Sequence, residues 1–224
     1  MHLNSQLLFE KYAIPFFKDN MKVLEIAPSS FPSPYEKLVN NKTIQWDTID
    51  FKSSDFVDTS AISNLTYELT SLYEFPIDDN TYDLIISGQV LEHVEKIWTW
   101  MKELKRITKQ NGYIITINPI SWPYHEAPLD CWRVYPSGMK ALASEVGLEV
   151  CEALFTSLEG EEILQRYPNA ILIPGKSYKY FSSPKKLDWM IRWNKVVSKM
   201  PKFKHYLQIP IEVAYDNISV LAKR

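Results

Sequence analysis

Residues 22–32, KVLEIAPSSFP, are the stretch from which the fold is read. Val23, Leu24 and Ile26 form a short apolar run of the kind that makes a buried parallel strand. Glu25 puts a charge inside that run, a costly place for a carboxylate without a purpose. Ala27-Pro28-Ser29-Ser30 then turns the chain, and a short helix is predicted to begin near Pro34-Tyr35. A strand, a small-residue turn and a helix start form the ligand-binding corner of doubly wound sheets, where the N–H groups of the helix start suit an anionic group. Alone, the stretch also fits an ordinary strand end, and the rest of the chain decides between the two.

Upstream, Leu3, Leu7, Leu8 and Tyr12 recur at helical spacing, which predicts a helix over 3–18 that packs across the sheet or covers the pocket. Downstream, 35–39 is predicted helical and 44–50 a second strand with Asp50 at its C-terminal end. Residues 55–64 read as a polar connection with room for one helical turn, and 65–69 as a short third strand. Residues 77–81, IDDNT, are a turn. YDLIIS, residues 82–87, is a fourth strand broken by Gly88-Gln89. Val94, Ile97, Trp98, Met101, Leu104 and Ile107 predict a helix over 93–108, closed by Asn111-Gly112, with a fifth strand over 113–117. Residues 118–136 have no period and hold Pro119, Pro123, Pro128 and Pro136 among aromatics, the mark of a functional loop. A helix over 137–146 ends at Gly147, and 148–155 is a sixth strand. Residues 160–208 read as an insertion with helices near 161–166 and 184–200, and 214–222 is the last strand. The alternation predicts one α/β domain over 1–224, a doubly wound, mostly parallel seven-stranded sheet with helices on both faces and a helical insertion before the last strand.

With 224 residues, 46% of them hydrophobic, the chain can bury the core of one such domain. A net charge of −2 offers no electrostatic grip on nucleic acid. No apolar run is long enough to span a bilayer, so no membrane insertion is expected. The first twelve residues lack the basic flank and apolar core of a signal peptide. Cys131 and Cys151 give neither a disulfide framework nor a zinc pattern, and a reducing cytoplasm is the simplest setting. Several of the aromatics fall in the proline-rich loop after Asn118, which predicts a stacking surface.

Asp50 lies about 20 residues beyond the first turn, where an acidic side chain can accept both ribose hydroxyls of a nucleotide. A nicotinamide dehydrogenase would share the sheet and Asp50, but it would prefer glycines in the first turn to admit a pyrophosphate, and they are absent. FPIDDNTYDLIIS (75–87) followed by VLEHV (90–94), after KVLEIAPSS, resembles the class I S-adenosylmethionine-dependent methyltransferases. NGYIITINP (111–119) is similar to that family's strand after its N-G-G turn. The resemblance covers about residues 20–155 and, more loosely, the last strand. It implies a Rossmann-like fold, S-adenosyl-L-methionine as cofactor and a cytoplasmic methyltransferase. Carried onto this sequence, it implies cofactor contacts from Glu25, Ala27, Pro28 and Ser29 at the first turn and from Asp50 and Phe51 at the ribose. It further implies Ser71 and Leu72 at the adenine, and Ser87, Gly88 and Gln89 after the fourth strand. The family's G-x-G-x-G turn is here Ala27-Pro28-Ser29-Ser30-Phe31, which fits only if no positive φ or very close backbone approach is required. Ser71 stands where the family often has an acid.

PYHEAPLDCWRVYP, residues 123–136, is similar to the H-x-x-P-x-D-x-W-R-x-x-P segment of methyltransferases in sugar and surface-polysaccharide pathways. His125 is the expected general base on an acceptor hydroxyl, with Glu126 or Asp130 orienting it. Tyr124, Trp132, Arg133 and His93 are expected at the substrate, Arg133 by a two-point grip on a phosphate or carboxylate. The plainer readings pair Asp130 with Arg133 inside the loop and make His93 a helix-start residue bonded to backbone. Asp78 and Asp79 read as solvated turn residues, and no metal ligand is expected. The expected acceptor is a small molecule: a hydroxyl of a sugar, a nucleotide-sugar or a phosphate-linked group. The helix near 184–200 is a lid, a homodimer contact or a packed surface helix. The rival from another class is a degenerate methyltransferase fold that binds without turnover.

Overall fold

The computed structural model describes residues 2–51, 64–126, 128–178, 184–200 and 202–224. The connection predicted over 55–64 lies, up to residue 63, outside them. The chain opens with α1 (Leu3–Leu8), a π-helical turn (Phe9–Ala13) and a 3-10 turn (Ile14–Phe16). Then come β1 (Lys22–Ile26), α2 (Pro34–Val39), β2 (Gln45–Phe51), β3 (Tyr67–Leu69), β4 (Tyr82–Gly88) and a 3-10 turn (Leu91–His93). α3 (Ile97–Ile107), β5 (Thr108–Pro119), α4 (Pro136–Val146), β6 (Glu149–Thr156) and α5 (Leu158–Arg166) follow. The C-terminal part holds β7 (Leu172–Pro174), α6 (Pro184–Val197), α7 (Lys204–Leu207), β8 (Ile211–Val213) and β9 (Asp216–Ala222).

Seven strands form one sheet in the order β3-β2-β1-β4-β5-β9-β6. Its pairs are parallel except those of β9, which runs antiparallel to β5 and β6. β7 and β8 pair separately. The order reverses between β1 and β4, the switch point at which doubly wound sheets open a crevice. Side chains alternate across the sheet. Leu24, Ile26, Ile85 and Ile114 meet Trp100, Met101 and Leu104 of α3 and Met139 and Ala143 of α4. Val23, Leu84, Ile86 and Ile115 meet Leu8, Phe9, Tyr35 and Leu158 on the other face. Burial on both faces is why these strands read as largely apolar runs, with Glu25 the exception in β1. Among the described residues no helix is long and apolar enough to cross a membrane.

Four expectations are corrected. The helix predicted from residue 93 begins at Ile97, because Val94 is extended and its carbonyl accepts from Trp132 Nε1 at 2.8 Å. Asn111-Gly112 is not the turn that closes this helix. Thr108 already pairs with Tyr82, and a register shift before Leu84 and Tyr113 absorbs the extra residues. The N-terminal helix ends at Phe16, its last turn tightened around Pro15. The insertion also contains β7, β8 and α7, each too short to leave a period in the sequence.

Candidate functional site

The strand register builds the site. Ile26 lies beside Ile49 and Ser87, and Gly88 lies beside Ile117. One residue further on, Ala27, Asp50, Gly88 and Ile117 share a row at the C-terminal edge of β1, β2, β4 and β5. Pro28 and Ser29 follow Ala27, Phe51 ends β2, Ser71 and Leu72 follow β3, and Gln89 follows β4. The residues expected at the cofactor thus gather at the ends of four adjacent strands.

Their individual settings differ. Asp50 is buried, and Oδ1 accepts from the Phe51 N–H at 2.7 Å. Burial pushes its carboxyl above the usual carboxylate range. Ser71 Oγ accepts from Tyr73 N at 3.1 Å and keeps its own proton to donate, while Leu72 packs on the core. Glu25 faces inward: it accepts from Ser33 Oγ and from Trp46 Nε1 (2.9 Å). Ser33 Oγ in turn accepts from Glu36 N, so Glu25 braces the N-terminus of α2 against β1 and β2. Burial lifts the Glu25 carboxyl to about 7. The turn does require a positive φ, contrary to the condition set for its non-glycine sequence: Ala27 sits at φ 52°, a conformation that costs an L-residue about 1–2 kcal/mol. Ser87 Oγ is buried without a partner among the described residues. At Gly88 a Cβ would lie 2.2 Å from Tyr35 Oη, so glycine is needed for close packing. Gln89 turns toward the N-terminal helix and donates to Ser5 Oγ at 3.0 Å.

That helix covers the β4–β5–β9 end of the edge. His2 stacks on Trp122 (ring centroids 5.0 Å apart) and meets Asp216 at 3.2 Å, and Asn4 donates to Asp216 at 2.7 Å. Nothing local in the sequence signals a pairing across more than two hundred residues.

The loop after β5 is tied down more tightly than expected. The two-point grip assigned to Arg133 is closed on Asp130, with Nη2 at 2.8 Å from Oδ2, and its other donors go to the Trp122, Pro123 and Trp132 carbonyls. This guanidinium holds the Asp130 carboxyl down at about 2. Glu126 does not orient His125. It accepts from Tyr124 Oη, and both are exposed. Trp132 is half-buried and anchored to Val94, so it serves as a tie and not as an open stacking face. The backbone N–H groups of Cys131 (2.7 Å) and Trp132 (3.3 Å) both reach the Glu92 carbonyl, which pins the loop to the turn after β4.

Asp130 does reach His125: it accepts from the His125 N–H at 2.7 Å and lies 3.5 Å from Nδ1. His125 Nδ1 also lies 3.0 Å from the Pro123 carbonyl. A carbonyl can only accept, so Nδ1 carries the proton and Nε2 keeps its lone pair. His93 repeats the arrangement, its Nδ1 bonded to the Leu129 carbonyl. Burial lowers its pKa. The two imidazoles meet edge to face, 5.1 Å apart. Beside them Glu92 is 1% exposed, with neither carboxylate oxygen hydrogen-bonded among the described residues. Burial lifts its carboxyl to about 8. One donor atom from each of Glu92, His93 and His125 lies within 4.8 Å of the others. Sequence reasoning gave Glu92 no role. The available signal was the one used at Glu25, a carboxylate inside an apolar run.

Residues 42–116 match the family described as Methyltransferase domain. An uncharacterised methyltransferase of Schizosaccharomyces pombe is 42% identical over 53 residues, 24% of this chain and 19% of that protein. The similarity therefore spans about a fifth of that relative's length. A SAM-dependent methyltransferase from Archaeoglobus fulgidus superposes with a TM-score of 0.56 at 14% identity, over 97% of this chain and 92% of that one. The [4+2]-cyclase SpnF superposes with a TM-score of 0.52 at 15% identity, over 98% and 80%. At such identities the likeness shows the fold.

Proposed function

We propose that this chain, which has the fold of the SAM-dependent methyltransferases and matches their domain family over residues 42–116, is a SAM-dependent methyltransferase acting on a small-molecule hydroxyl. The observation that carries the reading is the edge row. Asp50 stands one residue before the end of β2, and the two imidazoles follow β4 and β5 on the same edge, which supports a ribose on Asp50 and an acceptor at the histidines. Methyl transfer from a sulfonium is an in-line displacement with an already activated donor, so the protein must align the acceptor and remove its proton. His125 Nε2 takes that proton, and Asp130, ionised beside Arg133, stabilises the imidazolium. Ser71 and Leu72 meet the adenine. His93 and the exposed Tyr124 ring face the acceptor, best taken as a hydroxyl of a sugar or nucleotide-sugar. The free cysteines Cys131 and Cys151 agree with a reducing cytoplasm.

A second reading, a binding protein without turnover, is favoured by the strained Ala27 turn, and the presence of the fold in a cyclase shows that fold alone does not set the reaction. Transfer of labelled methyl from S-adenosylmethionine to a panel of sugars and nucleotide-sugars separates the two. Turnover is expected, and His125→Ala should lower it at least 100-fold with little change in cofactor affinity. Equal turnover in the variant at saturating substrates removes His125 from the mechanism, and cofactor binding without transfer to any acceptor in the panel favours the binding protein.

A further inference from the structure

We propose that Glu92, His93 and His125 bind one divalent first-row transition-metal ion at the C-terminal edge of β4 and β5, with coordination positions left open toward the acceptor.

Each part of a first coordination sphere is present. His93 and His125 hold their Nδ1 protons on backbone carbonyls, which leaves both Nε2 atoms as lone-pair donors. Metal-bound histidines are fixed in this way by outer hydrogen bonds. Glu92 is the independent observation. It is a carboxyl group, 1% exposed, with neither oxygen hydrogen-bonded to another residue among the described residues, and Oε1 lies 3.8 Å from His93 Nε2. Buried carboxylates are ordinarily paired or bound to a metal. The nearest guanidinium, that of Arg133, is already closed on Asp130. Asp130 and Asp216 add negative potential at Glu92, and Arg133 offsets part of it.

The distances also suit the assignment. One ligand atom from each of the three residues lies within 4.8 Å of the others, His93 Nε2 stands 3.8 Å from Glu92 Oε1, and ligands around a tetrahedral zinc-sized ion stand about 3.4 Å apart. A rotation of the half-buried His125 ring about its side-chain bonds would close the difference while the loop backbone stays pinned. Two imidazoles and one carboxylate favour zinc, cobalt, iron or manganese over magnesium or calcium. Three protein ligands leave open positions, the pattern of catalytic sites.

The mechanistic consequence rests on the methyltransferase reading. An acceptor hydroxyl bound to the ion loses its proton to water. Its oxygen then forms the O–C bond as the C–S bond breaks, and the electron pair leaves on a neutral thioether. With the ion bound, the His125 Nε2 lone pair is a ligand and solvent takes the proton; His125 is the base only in the metal-free site.

Chelator-stripped protein titrated with Co²⁺ tests the site directly. The expected result is one ion per chain, with visible d–d bands that Zn²⁺ displaces. Glu92→Gln, His93→Ala and His125→Ala should each weaken uptake at least tenfold. His125→Ala lies on a loop and does not endanger the fold, so its result counts even if another variant unfolds. No stoichiometric uptake, or uptake indifferent to His125→Ala and Glu92→Gln, overturns the proposal. Calorimetry with S-adenosylhomocysteine on the same stripped protein keeps the two readings apart. Cofactor binding without metal uptake defeats the metal site alone, whereas metal uptake without cofactor binding defeats the methyltransferase reading and leaves the site standing.

Discussion

Ala27 occupies a backbone conformation that glycine holds without strain. Ala27→Gly removes about 1–2 kcal/mol of strain and adds some unfolded-state entropy, for a net gain of about 0.5–1 kcal/mol. The urea midpoint should rise, and a lower midpoint would contradict the strain. Glu25 predicts a pH dependence. Unfolded, it ionises near its ordinary 4.5, whereas in the fold burial raises it to about 7. Between these values the folded chain holds the extra proton, so stability falls as pH rises, by about 3 kcal/mol across the window. Glu25→Gln keeps an acceptor for Ser33 and Trp46 and removes that slope. Melting temperatures of the two proteins from pH 4.5 to 7 should converge at the acid end and separate in favour of the variant above it. Parallel curves would place the Glu25 proton elsewhere. Glu25 drew notice in the sequence because it interrupts an apolar run, and Asp50 because it ends a strand about 20 residues past the first turn. Glu92 carried the same signal as Glu25 in a 3-10 turn, one residue ahead of the predicted helix.

At the scale of elements, α2 and β4 meet through Gly88 and Tyr35. Tyr35 Oη is buried with no hydrogen-bond partner among the described residues, so Tyr35→Phe should be neutral or stabilising. Gly88→Ala forces a methyl against that ring and should cost about 1–3 kcal/mol. The double variant should recover part of the loss, since the hydroxyl is the nearest atom, and full additivity in denaturant melts would show that the two do not touch. The central strands were readable because both sheet faces are covered there and their runs are largely apolar. The start of α3 was not, because the Trp132 bond that holds Val94 extended spans 38 residues. The same limit applies to the loop after β5. Its residue types were plain, but which partner Arg133 and Glu126 would choose depended on three-dimensional neighbours.

For the whole molecule, the sheet order places Asp50 and the histidine pair on one edge, with the N-terminal helix closed over part of it through His2, Asn4 and Ser5. The central claim is that a sulfonium nucleotide lies along this edge with its ribose on Asp50. Titration calorimetry with S-adenosylhomocysteine, on the wild type and on Asp50→Ala, tests it most directly. One cofactor product should bind per wild-type chain, and the variant should bind at least tenfold more weakly with an unchanged melting temperature, a loss of about 1.4 kcal/mol or more. No heat with the wild type, or equal affinity in the two proteins, would contradict the account.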